Sequence, residues 1–321
     1  MTGGPEISDE RRLRKPRLGR WVAGSIAGVV LLLLLGGAWT AQAQQLEPRA
    51  YSPAPVGANY LGLAYLYQYG GAALDPSSPI TNVYARVNTA ALYYGRTFGL
   101  FGRLASATLT APYAWGNVHG DVFDVSRSRD LSGLADPQVR FAVNLIGGPA
   151  LSPLEFSRQK PETTLGASLT VSAPFGQYDP SRLINLGTNR WAFKPELGIS
   201  QPVGKWAFEF YAGVWLFTDN DDYFGGQVKR QDPLASYQVH VVYTVRPRLW
   251  AAVDFTYYSG GASTVNGQSN NDRQDNTRGG LTLSFPMTHN QSMKLTWARG
   301  VSTRIGTSFD TLGAAWQLLW F

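Results

Sequence analysis

Cysteine is absent from the 321 residues, which excludes a disulfide scaffold and a thiolate metal site. Histidine is scarce. His119, His240 and His289 lie far apart, and none has metal-ligand spacing with another ligand. There is no Gly-x-Ser-x-Gly elbow, no phosphate-binding loop, and no assembly of a Ser/His/acid or paired-acid set. The chain is therefore expected not to be an enzyme, with no catalytic residue, no metal and no cofactor. Apolar residues are too dilute for a helical membrane protein, since the mean hydropathy is -0.16. A transmembrane β-barrel is compatible with that value, because only half of each strand faces lipid.

What is present begins with a basic leader, Arg11, Arg12, Arg14, Lys15, Arg17 and Arg20, ahead of an apolar run from Trp21 to Ala38. Ala41-Gln-Ala43 then gives small residues at cleavage spacing, so residues 1–43 read as an export signal and the mature chain starts near Gln44. Removing them leaves 22 basic and 19 acidic residues, a net charge of +3. The basic balance is thus partly a property of the leader, and no nucleic-acid partner is inferred. Residues 44–58, with Pro48, Pro53 and Pro55, read as an extended periplasmic N-terminal lead-in.

From residue 59 to 321 the pattern is period-two alternation, which means strands with two different environments. The clearest case is 163–219. Leu165, Ala167, Leu169 and Val171 fall on one face of the first run. Trp191, Phe193, Leu197 and Ile199 do so in the second, and Trp206, Phe208, Phe210 and Val214 in the third. Similar runs lie near 59–69, 80–94, 103–115, 137–146, 237–244, 249–257, 276–285, 291–299 and 310–321, about twelve strands in all. Runs of ten residues exceed the five or six usual in soluble sheets. Connections at 70–79, 116–136, 176–190, 220–231, 259–275 and 300–309 are long and polar. Those at 95–102, 201–205, 245–248 and 286–290 are short, and 147–162 breaks the alternation. Long loops on one side and short turns on the other are the layout of an antiparallel outer-membrane β-barrel. Aromatics near strand ends (Tyr67, Tyr69, Tyr93, Tyr94, Trp115, Trp191, Trp206, Tyr257, Tyr258, Trp320) read as two interfacial girdles.

If the apolar faces meet lipid, the opposite faces line a lumen. They carry Arg86, Arg140, Lys194, Glu196, Glu209, Tyr211, His240, Asp254, Arg278 and Lys294. A lysine or arginine at the lipid midplane costs about 2–4 kcal/mol, which is why these charges belong inside. Two roles stay open for them: a salt-bridge network that fills a narrow barrel, or the lining of a solute path. The acidic run Asp219-Asn-Asp-Asp222 reads as a solvated loop. The terminal Phe321 fits the signal read by the barrel assembly machinery, although the apolar face Leu312, Ala314, Trp316, Leu318 and Trp320 is out of phase with it.

Several stretches carry a family likeness: Ser132-Gly-Leu-Ala-Asp-Pro137, Ala173-Pro-Phe-Gly-Gln-Tyr-Asp-Pro180, Asn185-Leu-Gly-Thr-Asn-Arg-Trp-Ala-Phe-Lys-Pro-Glu-Leu-Gly198, Gly204-Lys-Trp-Ala-Phe-Glu-Phe210 and Thr218-Asp-Asn-Asp-Asp-Tyr-Phe224. From about residue 57 onward the chain resembles the family described as the putative MetA-pathway of phenol degradation, outer-membrane proteins labelled as transporters. Ala135 stands where that pattern favours glycine. The resemblance implies a barrel of the bacterial outer membrane, with lipid and a small-molecule solute as its partners. It defines no ligand residues. The expected function is passive passage of small solutes, aromatic or hydrophobic compounds among them. The alternative is a plugged structural or surface-binding barrel without transport.

Overall fold

The computed structural model describes Met1 and residues 46–73, 80–122, 125–182 and 184–321. Apart from Met1, the expected signal segment lies outside the described residues. In chain order the elements are β1 (Asn59–Ala73), β2 (Ile80–Leu100), β3 (Arg103–Val122), β4 (Val125–Leu134), β5 (Gln138–Ile146), α1 (Pro153–Phe156), β6 (Thr164–Ser172), β7 (Ala192–Val203) and β8 (Trp206–Phe217). They continue with β9 (Asn220–Tyr223), β10 (Gln227–Gln231), β11 (Leu234–Arg246), β12 (Leu249–Gly260), β13 (Ser263–Val265), β14 (Gln268–Ser269), β15 (Gln274–Pro286), β16 (Gln291–Thr303) and β17 (Gly306–Trp320).

Twelve strands (β1, β2, β3, β5, β6, β7, β8, β11, β12, β15, β16 and β17) pair antiparallel with their neighbours, and β1 closes the barrel on β17 from Asn59↔Trp320 to Ala73↔Gly306. Closure gives every strand a hydrogen-bonded neighbour on both sides, which is what a sheet in hydrocarbon requires. Each barrel strand exposes a large apolar side chain outward: Leu63, Leu92, Leu109, Phe141, Leu169, Leu197, Phe208, Val239, Val253, Leu283, Leu295 and Leu312. A continuous apolar belt of that extent is a lipid-facing surface, and the protein is a barrel of the bacterial outer membrane. The tight turns gather at one end with the strand termini at Asn59 and Trp320, which makes that end periplasmic. Phe101 and Gly102 both take positive φ there, 48° and 74°, the conformation of a two-residue hairpin whose twist matches its strands.

Three expectations change. The polar stretches at 116–136 and 300–309 are not loops. The first is the top of β3 paired with β4, and in the second β16 and β17 run on to a turn at Arg304–Ile305. Val118, Leu131 and Phe309 pack inward there, but most other side chains of the two hairpin tops keep some exposure, so alternation is weak although the strands persist. The stretches 220–231 and 259–275 also carry strands. Together they build a four-stranded sheet in the order β14-β13-β10-β9 over the outer mouth, with the Asn266-Gly267 turn joining β13 and β14. Finally, the lead-in does not stay in the periplasm. Residues 46–52 turn up into the barrel, where Tyr51 is 2% exposed. Val56 donates to the Leu151 carbonyl at 2.8 Å and Gly57 to that of Thr97 at 3.0 Å, which ties the segment to the periplasmic rim.

Candidate functional site

The lumen has two unlike halves. Strands β6, β7, β8, β11, β12 and β15 turn polar side chains inward, and these are packed shut. Tyr211, Gln238, His240, Asp254 and Thr256 are at most 1% exposed. Lys194 Nζ sits 2.6 Å from Glu196 Oε2, and Nδ1 of His240 is 2.6 Å from Asp254 Oδ1. Thr282 donates its hydroxyl to Asp254 Oδ2 at 2.6 Å, while Ser200 and Tyr211 donate to Glu209 at 3.0 and 2.6 Å. Arg278 donates through Nη2 to the Phe309 carbonyl at 2.9 Å. Buried charges persist where each finds a partner close by, and here the partners come from the same strand (Lys194 with Glu196, Glu209 with Tyr211) or from another strand of the wall (His240 with Asp254).

The other half, β17, β1, β2 and β3, carries small or apolar inward residues. Ala64, Leu66, Thr89, Ala91, Thr108 and Thr110 all keep partial exposure. These side chains are less buried than those of the charged wall. Two tyrosines shape this half. A side chain at Gly62 would overlap the Tyr93 ring, and one at Gly95 would overlap Tyr60, so each ring lies flat over a bare stretch of the adjoining strand. The Tyr60 hydroxyl is 2.6 Å from Thr108 Oγ1.

Nine of the ten expected lumen residues point inward, and Arg86 does not. Leu63 and Leu92, exposed on the belt, are a cross-strand pair, and the register carries the same face up to Tyr67↔Asn88 and Tyr69↔Arg86. Arg86 thus stands outside, above the apolar belt, with its guanidinium 5.8 Å from the Tyr84 ring. The apolar residues beside it mislead, because Ala85 and Val118 face inward into a cluster with Phe309, Leu131 and Ile184. The girdle expectation holds for Tyr94, Trp115, Trp191, Trp206 and Trp320, which are exposed. Tyr93 and Tyr258 belong to the interior instead.

The inner half of the lumen is occupied by the chain itself. Leu46 rests where Gly280 has no side chain. The Glu47 carboxylate lies within electrostatic reach of Arg140 from β5 and Lys294 from β16. The Arg49 amide donates to Glu209 Oε2 at 2.7 Å, the Ala50 amide to the Tyr211 hydroxyl at 3.2 Å, and the Arg49 guanidinium stacks 5.4 Å from Trp250. Tyr51 is buried. Its hydroxyl is 2.9 Å from Ser168 Oγ and donates to Glu196 Oε1 at 3.0 Å. Its ring meets Tyr211 edge-on at 5.1 Å and lies under the Arg140 guanidinium at 5.0 Å. Sequence alternation could not find this segment, since it belongs to no strand. The signal it left is the facing pair Gly166↔Gly198, glycines in inward positions where the Tyr51 ring now lies.

The outer mouth is closed by residues from the stretches that carry the family likeness. Asp136 accepts the Gly176 amide at 2.9 Å and both the amide and hydroxyl of Thr188, at 2.9 and 2.7 Å. Gly176 and Gly187 pass so close that a side chain on either would strike the other's backbone. Asn189 donates to Asn220 Oδ1 at 2.9 Å, Arg190 donates to Gln231, and its guanidinium covers the Phe217 ring at 4.3 Å. Ile184 of the same loop drops into the apolar cluster of β2 and β3. On the outer sheet Lys229 stacks 5.0 Å from Tyr223, and burial next to Arg190 pushes its amine down to about 7. Sequence reasoning assigned no chemistry to 185–191. Its role is to clasp the outer cap.

Among solved structures the chain is similar to the COG4313 outer membrane channel from Pseudomonas putida F1, with a TM-score of 0.72 and 21% identity over 86% of this chain and 100% of that one. Weaker likenesses include the NanC porin, at a TM-score of 0.45, 10% identity and coverage of 80% and 98%. Another is the CymD monoaromatic hydrocarbon channel, at 0.43, 9%, 89% and 98%. No curated protein sequence matches the chain. At 21% identity the likeness to the COG4313 channel shows the fold alone, that of an outer-membrane barrel, here with twelve strands. The model of one family matches residues 70–317, and by that match the chain belongs to the family described as Putative MetA-pathway of phenol degradation.

Proposed function

We propose that the barrel is an outer-membrane channel for passive passage of small solutes, aromatic or hydrophobic ones among them. The state described here has segment 46–52 in its inner half and the clasped cap over its mouth. The observation that carries this reading is the asymmetry of the lumen. One half is packed with buried, paired polar groups, and the other carries partly exposed small side chains and tyrosine rings. Apolar and aromatic surfaces favour solutes with apolar bodies, and the pore contributes no energy source. Catalysis has no place in the proposal: His240 is held by Asp254, and its Nε2 has no hydrogen-bond partner among the described residues.

A second reading, a plugged barrel that acts through its outer surface, is favoured by the depth and number of contacts made by Glu47, Arg49 and Tyr51. Planar-bilayer recording and liposome flux separate the two. The channel reading expects low conductance from the intact protein and severalfold more after deletion of residues 46–52. Absence of conductance and flux in both forms would establish the plugged reading. We also propose that Phe321, exposed one residue past β17, is read during assembly, so its deletion should lower the amount of folded barrel in the outer membrane.

A further inference from the structure

Tyr51 is a phenol held in a fitted site, and the site's walls do not belong to the segment that carries it. Gly166 and Gly198 leave bare backbone where the ring lies, and a side chain on either would overlap it. The guanidinium of Arg140 covers the ring, 5.0 Å from its centroid, and Tyr211 packs edge-on at 80°. Cation over face and ring edge against ring are the two arrangements that favour an aromatic over an aliphatic group. The hydroxyl has a matched pair of partners. Glu196 Oε1 accepts at 3.0 Å, and Ser168 Oγ lies at 2.9 Å. The other oxygen of Glu196 is paired with Lys194 at 2.6 Å, which leaves Oε1 free to take the hydroxyl.

From this we infer that the lumen contains a binding site for small phenols, built by Gly166, Gly198, Ser168, Glu196, Arg140 and Tyr211, and that Tyr51 occupies it as an internal competitor. The ligand class is a single aromatic ring bearing one hydroxyl, with room at the para position where the tyrosine backbone now leaves. The inference rests on the channel reading in one respect, that solute from outside reaches the lumen. A tethered ligand is present at a high local concentration, so free phenol competes poorly until the segment withdraws. Binding of phenol and withdrawal of residues 46–52 would then be coupled in both directions.

The probe is p-cresol, which is the tyrosine side chain without its backbone. With full-length protein in detergent, Tyr51→Ala should bind p-cresol saturably at one site, and wild type about tenfold or more weaker because Tyr51 competes. Toluene should bind the variant about tenfold or more weaker than p-cresol, since it brings no hydroxyl for Glu196 Oε1 and Ser168 Oγ. Adding Gly198→Leu should abolish p-cresol binding while heat-modifiable migration reports a folded barrel. A folded Tyr51→Ala protein without saturable binding overturns the inference. So does equal affinity for toluene, which marks an apolar void, or unchanged affinity in the double variant, which places the ligand elsewhere. Should Tyr51→Ala fail to fold, Tyr51→Phe, which keeps the ring and drops the hydroxyl, should bind p-cresol more tightly than wild type; equal affinity overturns the inference. Conductance of the same variants separates the two readings. Conduction without p-cresol binding sinks this site and leaves the channel, whereas p-cresol binding without conduction or flux leaves the site and sinks the channel.

Discussion

The two halves of the lumen wall use the same alternating pattern to opposite ends. Along β6–β8, β11, β12 and β15 the inward residues pair within and across strands, Lys194 with Glu196 along β7 and His240 with Asp254 from β11 to β12, and the wall closes on itself. Along β17 and β1–β3 many of the inward residues are small, and two bulky ones, Tyr60 and Tyr93, lie flat over Gly95 and Gly62. Opposite charges in a low-dielectric interior draw together until no space is left, whereas alanine and glycine have nothing to draw. The difference puts the proposed path beside the uncharged wall, although charges in a barrel are first read as the lining of its path.

The comparison breaks most visibly if the charged wall is not held by its pairs. Glu196→Leu leaves Lys194 buried without its 2.6 Å partner and strips an acceptor from Tyr51. Removing one member of a buried pair costs about 3–5 kcal/mol, so the unfolding midpoint in urea should fall sharply. Leu66→Ala on the other wall removes a partly exposed side chain and should cost less, about 2 kcal/mol at most. Equal losses at the two positions would remove the distinction. A smaller effect tests the tyrosine seats. Gly62→Val pushes the Tyr93 ring toward the lumen, with overpacking of about 1–3 kcal/mol, and single-channel conductance should drop in a 46–52 deletion background. An unchanged conductance would mean that solute does not pass along this wall.

The outer cap gives a pH-dependent contrast with the membrane-embedded pairs. Lys229 is buried beside Arg190 and Tyr223, and its amine is pushed down to about 7. Above that value the closed cap holds the amine neutral, while an opened cap lets it bind a proton up to its ordinary value of about 10.4. The open form then binds more protons, so the closed cap gains stability as pH rises from about 7 toward 10, and changes little below 7 on this account. The slope is at most about 1.4 kcal/mol per pH unit for one group. Amide exchange in residues 220–231 and 263–269 should therefore slow, relative to its intrinsic rate, between pH 7 and pH 9. Lys229→Met should flatten that change. A wild-type profile equal to that of the variant would exclude Lys229 as its source.

How much of this was legible in the sequence follows from which residues see two different solvents. Strands between lipid and lumen, such as Ala192–Val203, declare themselves by alternation, because every second residue meets hydrocarbon. That fixed the twelve-stranded barrel and the inward placement of nine of the ten chosen residues. Above the membrane most side chains keep some exposure on both faces, Val118, Ile305 and Phe309 apart, so 116–122, 125–134, 300–303 and 306–309 read as loops although they pair as strands. The lead-in was illegible for another reason. Residues 46–52 take their place from long-range contacts with Ser168, Glu196 and Glu209, and no local pattern records contacts that distant. Only the inward glycines at 166 and 198 hinted that something must lie against them. Asp136, Thr188 and Arg190 were visible as a likeness to a family, yet their joint role in the cap depends on three separate stretches meeting in space.

The smallest expected effect tests the one side chain that was placed on the wrong face. Arg86 stands outside the barrel beside Tyr84 and opposite Tyr69, at the level where the belt gives way to headgroups. An arginine there keeps its charge in water, so Arg86→Gln should change stability by about 0.5 kcal/mol or less. Arg140→Gln is different, because that guanidinium covers Tyr51 within the lumen and faces Glu47 and Glu196. Ion selectivity of the 46–52 deletion, read as reversal potential under a salt gradient, should shift toward cations with Arg140→Gln, because a fixed positive charge leaves the lumen. It should stay within error with Arg86→Gln. Equal shifts from the two would mean that ions sense the outer surface as strongly as the interior. The selectivity would then be set at the mouth, where Arg86 and the cap lie, and the division of the lumen into a charged and an uncharged wall would have no bearing on what passes.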